Sequence, residues 1–365
     1  MEKQKKTKQQ RVVQLLPTMA FGDAVGNDTL AIAGILENRG FQKEIYAENI
    51  DRRIQLGVVK TIDRMEPLSD DDILIYHVST GTELNYMLPN YGGKQMMIYH
   101  NITPPEFFEG YSPIAADLCR NGYEGIQHLS KIVKYCIADS EYNKQELIAM
   151  GYRCPIDVCP ILIPFDDYNQ TPDHRVVSAF CGDGYTNLLF VGRIAPNKKQ
   201  EDVIRAFYIY QRYFNSKSRL FLVGSSSGME KYEQKLHAYV EKLGISSKVI
   251  FPGHIRFSEI LAYYRVADAF VCMSEHEGFC VPIVEAMHFD IPIIAYNSSA
   301  VPETMAKGGI IIEDKDPQLA AAAIDRVIRD QNLRKYISDC QKDRLKDFSY
   351  DSVQERFMEC MKKVL

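Results

Sequence analysis

The chain has 365 residues, 46% hydrophobic and 25% charged, with 22 Gly and 16 Pro, proportions that exclude a disordered, collagen-like or fibrous protein. At this length one core gives way to two. Lys and Arg total 43 against 48 Asp and Glu, a net charge of -5, so no overall positive field holds a polyanion. That argues against nucleic acid as a partner and leaves room for a local basic pocket for a small phosphate.

No window approaches the roughly 18 consecutive apolar residues of a membrane span, and MEKQKKTKQQ has no apolar signal segment behind it, which predicts a cytoplasmic protein. Nine cysteines, an odd number, argue against a complete disulfide framework. Cys154 and Cys159 have no second Cys or His pair nearby and read as buried thiols, not as metal ligands.

Arg11 to Met19 is an apolar strand ending at the loop FGDAVGND, and LAIAGILENRG follows as a helix closed by Gly40, with Asn27 at its start. QKEIYAENI is the next strand, completing a βαβ opening. DDILIYHVS, KQMMIYHNI and KYCIADS are three more apolar runs with polar C-terminal ends, as in parallel strands that deliver side chains to a crevice. The long connection from Pro104 to Lys134 reads as largely helical. Asp166 to Gly184 has neither period and reads as an interdomain link.

A second alternating series opens at NLLFVGRIAPNK and runs through the helix QEDVIRAFYIYQRYF, the strand RLFLVGSSS, the helix MEKYEQKLHAYVEKLG and the strand KVIFPGHI. It continues with FSEILAYYRVA as a helix, AFVCMS as a strand, a helix near Pro282, IPIIAYN and GGIIIE as strands, and the helix DPQLAAAAIDRVIRD. A break at Phe348 to Tyr350 precedes the last helix, with Ser349 a candidate cap. The fold class is α/β, two doubly wound Rossmann-like domains with a cleft between them. The expected domains are 1–170 and 171–345, with 346–365 a helix crossing back to the first.

Four segments carry the candidate chemistry. In FVGRIAPNKK, Gly192 lets the chain turn closely, and Arg193 and Lys198 follow the strand, where a guanidinium and an ammonium would neutralise a diphosphate. In SEHEGFCVPIVEAM, Glu277 lies in a loop and Glu285 about one turn inside a helix. The amides of Gly278, Phe279 and Cys280, at that helix's positive end, suit a phosphate while the carboxylates accept hydroxyl hydrogen bonds. The first loop lacks the glycine fingerprint for a dinucleotide, so Gly22 and Asp23 suit a phosphate or sugar instead. His100 ends a strand, well placed to meet a substrate hydroxyl. His77 can hold a neighbouring strand end, and His276 reads as solvent-facing.

Together GRIAPNKKQEDVI, FLVG, FPGHI and SEHEGFCVPIVEAM resemble the retaining GT-B glycosyltransferases of the large family that includes sucrose synthases and bacterial mannosyl- and glucosyltransferases, group 1 of the glycosyl transferases. The resemblance implies that Arg193 and Lys198 bind the donor diphosphate, that Glu285 binds the nucleotide ribose, and that Glu277 meets the donor sugar with help from the loop amides. His100 takes the place of the family's cleft histidine, and Gly22 to Asp28 that of its glycine loop. The implied reaction moves a hexosyl group, mannose or glucose, from a nucleoside diphosphate sugar to a glycan or lipid-linked acceptor in surface polysaccharide assembly, with retention and with neither metal nor cofactor. Lys3, Lys5, Lys6, Lys8 and Arg11 read first as a solvated end and second as a peripheral contact with an anionic membrane. The alternative of another class is a noncatalytic nucleotide-sugar-binding or assembly protein, which would bind donor without transfer.

Overall fold

The computed structural model describes residues 9–365, so the basic stretch Lys3 to Lys8 and its membrane reading lie outside the described residues. The chain divides into two compact units, one formed by the residues through Ile102 with Leu118–Ile163 and Tyr350–Leu365, the other by Thr103–Asp117 with Pro164–Ser349. Thr103–Asp117, drawn from the middle of the expected first domain, thus groups with the second unit. Lys231 Nζ donates to Gly110 O at 2.8 Å and Lys235 Nζ to the Tyr111 hydroxyl at 2.7 Å, while Tyr111 packs edge-on against Tyr232.

The first unit carries β1 (Arg11–Met19), α1 (Ala24–Asn38), β2 (Gln42–Ile50), β3 (Lys60–Thr61), β4 (Ile73–Val78), α2 (Leu84–Met87), β5 (Lys94–Tyr99), most of α3 (Pro113–Leu129), β6 (Cys136–Ala138), α4 (Glu141–Ala149) and β7 (Ile156–Val158). Its sheet runs β3-β2-β1-β4-β5-β6-β7 with every pair parallel. Strands covered on both faces must be apolar throughout, and all six residues of β4 are buried. Pro17, which lacks an N–H, falls in β1 beyond the last β1–β4 pair, Leu15 with Tyr76, so no ladder bond is lost on that side.

The second unit carries α5 (His174–Phe180), β8 (Thr186–Val191), α6 (Gln200–Tyr213), β9 (Ser218–Val223), α7 (Glu230–Lys242), β10 (Val249–Gly253), α8 (Phe257–Val266) and β11 (Ala269–Cys272). There follow α9 (Val281–His288), β12 (Ile293–Tyr296), α10 (Val301–Met305), β13 (Gly309–Ile312), α11 (Pro317–Arg329) and α12 (Gln331–Leu345). Its parallel sheet runs β10-β9-β8-β11-β12-β13. The last helix, α13 (Tyr350–Lys362), returns to the first unit, where Val353, Phe357, Cys360 and Met361 join the core of Val12, Ile35, Ile75 and Ile98.

Two local readings are corrected. The stretch expected to be a bare link contains α5, capped by the Asp173 carboxylate on the amides of Arg175 and Val176, with Val176, Val177 and Phe180 packed on the second unit's core. Helix α1 begins at Ala24, not Asn27, because Asp23 is the cap, accepting from the Gly26 amide at 3.4 Å.

Candidate functional site

In each unit the polar groups collect where the strand order reverses, beyond the C-terminal ends of β1 and β4 in one sheet and of β8 and β11 in the other, the position at which open α/β sheets bind ligands.

In the second unit the loops after β8 and β11 are laced together. Gly192, at φ +148 after β8, and Gly224, after β9, let the ends of those two neighbouring strands approach so closely that a Cβ on Gly224 would sit 1.9 Å from Gly192 O. Beyond them the Glu275 amide donates to Asn197 O at 2.8 Å and Asn197 Nδ2 to His276 O at 3.1 Å. These bonds bury His276, correcting the expectation that it faces solvent. They also set Lys198 Nζ 2.5 Å from the Glu277 carboxylate. Burial opposes the Lys198 ammonium, but the adjacent carboxylate outweighs it and holds the amine above its ordinary pKa. Ser299, itself left-handed at φ +47, accepts the Glu277 amide at 2.8 Å, and the Ser298 hydroxyl donates to Ser274 O at 2.5 Å. Arg193 is exposed, its Nη2 donating to Ser227 O at 3.1 Å.

Gly278, Phe279 and Cys280 lead into α9. Thr304 Oγ1 donates to Phe279 O at 2.5 Å, the Phe279 ring stands edge-on to Phe348, and Cys280 caps the helix at φ +72. Glu285 lies one turn into α9, where both its oxygens are already engaged, by the Tyr168 hydroxyl at 2.5 Å and the Tyr264 hydroxyl at 2.6 Å. Burial raises the Glu285 carboxyl, and the two phenols pull it back only in part. Each carboxylate oxygen keeps one further lone pair for a ligand hydroxyl. Tyr168, Tyr264, Ser298 and Ser299 were not singled out from the sequence. Tyr168 lies in the 3-10 turn Phe165–Asn169, inside the supposed link, so nothing local marked it.

In the first unit His100 follows β5, but its ring points inward: the side chain is 1% exposed and bonds Asp139 Oδ2 through Nδ1 at 2.9 Å. Its Nε2 lies 2.9 Å from His77 Nδ1, and His77 Nε2 lies 2.9 Å from Gln14 Oε1. The two imidazole centroids are 5.2 Å apart with their planes within 2° of parallel, a spacing that fits an end-to-end N···N bond. Gln14 Nε2 donates to Thr29 O, so its Oε1 accepts and His77 Nε2 carries the proton. Burial keeps His77 neutral, its pKa well below the ordinary histidine value, so its Nδ1 accepts from His100 Nε2–H. For His100, burial is outweighed by its acidic neighbours, Asp139 foremost, and its pKa is raised, while burial raises that of Asp139 as well. Asp28, fully buried, accepts the Leu162 amide at 2.8 Å, and burial pushes its pKa to about 7.

The expected substrate-facing imidazole therefore has both nitrogens committed within its own unit. What is exposed of His100 is main chain, and the next residue, Asn101, is buried and left-handed at φ +81, with Nδ2 donating to Asn143 Oδ1 at 2.9 Å. Gly22 is exposed at φ +73, next to Asp23. No helix of the described residues is long and apolar enough to cross a membrane.

The chain is 30% identical over 169 residues to an uncharacterized glycosyltransferase of Methanocaldococcus jannaschii, a match spanning 46% of this chain and 42% of that protein. It is 23% identical over 279 residues to the O-antigen chain mannosyltransferase B of Escherichia coli, spanning 73% of this chain and 70% of that one. Among solved structures, Anabaena HepE in complex with UDP-glucose superposes over 97% of this chain and 99% of its own, with a TM-score of 0.77 at 17% identity, a likeness of fold. Two parallel sheets of seven and six strands with their helices are the GT-B fold of such enzymes. Residues 181–344, which build most of the second unit, match the family model of glycosyl transferases group 1.

Proposed function

We propose that the protein is a retaining hexosyltransferase that uses a nucleoside diphosphate sugar, glucose or mannose being the sugar favoured by its relatives, and a glycan or lipid-linked acceptor in surface polysaccharide assembly. The observation that carries this reading is the Lys198–Glu277 pair at 2.5 Å with Glu285 eight residues on, at the strand-order reversal of the second unit. In this reading the second unit holds the donor. Glu285 accepts from ribose hydroxyls, its carboxylate oriented by Tyr168 and Tyr264, while Glu277 meets the sugar. Arg193 and Lys198 neutralise the diphosphate as it leaves, aided by the amides before α9. The departing phosphate oxygen takes the acceptor proton, and the reaction needs no metal. The first unit serves the acceptor side through the strand ends around Gly22, Asp23 and His100.

His100 acts in this reading through its charge. In this reading the ring held between Asp139 and His77 carries a positive charge beneath the His100 main chain and does not itself move to a substrate.

The test is calorimetric titration of the purified protein with UDP-, GDP- and ADP-sugars, with Glu285→Ala as matched variant. Binding of one nucleotide class, weakened about 10-fold or more by loss of a charged hydrogen-bond acceptor, is expected. Equal affinity in protein and variant refutes the donor assignment. Donor binding with no transfer to any acceptor favours the noncatalytic binding protein.

A further inference from the structure

Cys272 closes β11, Glu277 lies in the following loop, and Cys280 caps α9; their two sulfurs and a carboxylate oxygen are buried and within 4.8 Å of one another. Tetrahedral zinc with thiolates at about 2.3 Å sets its ligand atoms about 3.8 Å apart, so small side-chain rotations close the set around one ion. The backbone points the same way. Cys280 sits at φ +72, where glycine is the low-energy choice, so a thiol is placed there against a conformational cost of about 1–2 kcal/mol. The two thiols already interact: the hydrogen bond from Cys280 draws the Cys272 thiol below its ordinary pKa and raises that of Cys280.

A cation already occupies the edge of this set, since Lys198 Nζ lies 2.5 Å from Glu277. Two thiolates and a carboxylate around a divalent ion leave one negative charge, which the Lys198 ammonium offsets. Two sulfur ligands select soft or borderline ions over magnesium and calcium, which take oxygen.

We propose that Cys272, Glu277 and Cys280 form an inhibitory site for a thiophilic divalent cation, zinc or cadmium, which draws Glu277 away from Lys198 and from a bound sugar. On binding, the two thiols lose their protons to solvent and Lys198 keeps its own; nothing is oxidised. The cation site stands on this geometry alone, whereas the inhibition rests on the donor reading above.

The full chain, reduced and stripped of metal, is titrated with cadmium while the ultraviolet thiolate-to-cadmium charge-transfer band is followed. One equivalent is expected. Cys280→Gly adopts the left-handed backbone without strain and so keeps its fold; it and Cys272→Ser weaken binding by more than about 100-fold, the upper end of what losing an outer-sphere partner costs. Cys154→Ser, which breaks the separate Cys136–Cys154 sulfur contact at 3.7 Å, keeps the band. Absence of a band in the unaltered protein, or its persistence in Cys280→Gly and Cys272→Ser, overturns the cation site. UDP-glucose affinity is then measured with and without cadmium. A drop of about 10-fold or more is expected, and unchanged affinity overturns the inhibition. A metal-free protein that binds no nucleotide sugar overturns the inhibition and the donor reading together, while the band still decides the cation site by itself.

Discussion

Asp28→Asn tests the buried charge cluster of the first unit. Asp28 keeps its proton up to about 7 in the folded protein, against 3.8 for a free carboxyl, because burial outweighs the attraction of His100. A carboxyl with a raised folded pKa contributes stability that is complete below its unfolded value and is lost as the pH rises through the folded one. Over the window from 3.8 to about 7 this loss reaches about 4 kcal/mol, at 1.36 kcal/mol per pH unit. Asparagine keeps the acceptor for the Leu162 amide and does not titrate, so the variant gains on the unaltered protein as the pH rises. Losing the attraction for His100 takes back part of the gain, leaving a relative stabilisation of about 2–4 kcal/mol at about pH 8 compared with about pH 4. The two units need not unfold together, so the assay is urea denaturation read by pulsed hydrogen exchange on peptides from β1 and β4. A difference between variant and unaltered protein that stays constant within about 1 kcal/mol across this range refutes the reasoning.

His100→Ala is expected to destabilise the first unit by about 3–5 kcal/mol, because it strands the buried Asp139 carboxyl and His77 Nδ1; a loss under about 1 kcal/mol in the same assay contradicts the His100–Asp139 pairing. Tyr168→Phe removes one of the two hydroxyls on Glu285 and should cost the second unit about 1–2 kcal/mol while weakening donor binding less than Glu285→Ala does. Equal donor affinities for Tyr168→Phe and Glu285→Ala would mean that the phenol, not the carboxylate, meets the ligand.

The order of strands and helices was legible because parallel strands covered on both faces read as continuous apolar runs, and β1, β4, β5, β8, β9 and β12 all do. The candidate site residues of the second unit were legible for a related reason. Glu277 to Glu285 is one contiguous segment and Gly192 to Lys198 another, so each set of candidates is clustered in the chain, whereas the pairing of Lys198 with Glu277 spans 79 residues. Helix α5 was missed since its seven residues are too few for a period to emerge, although Asp173 stands at its start as a cap.

What the string did not carry is who bonds whom across the sheets. His100 was recognised as a strand-end histidine, but its partners His77 and Asp139 are 23 and 39 residues away and reach it because β4, β5 and β6 lie side by side. The same holds for Tyr168, 117 residues from the Glu285 it orients. Periodicity records which face of an element is buried, a property of each segment alone, and a local motif records groups brought together by the chain itself. The direction in which the His100 ring points, and hence whether it meets a ligand or a buried carboxylate, depends on strand order and on the packing of elements far apart in sequence, which only the folded chain decides.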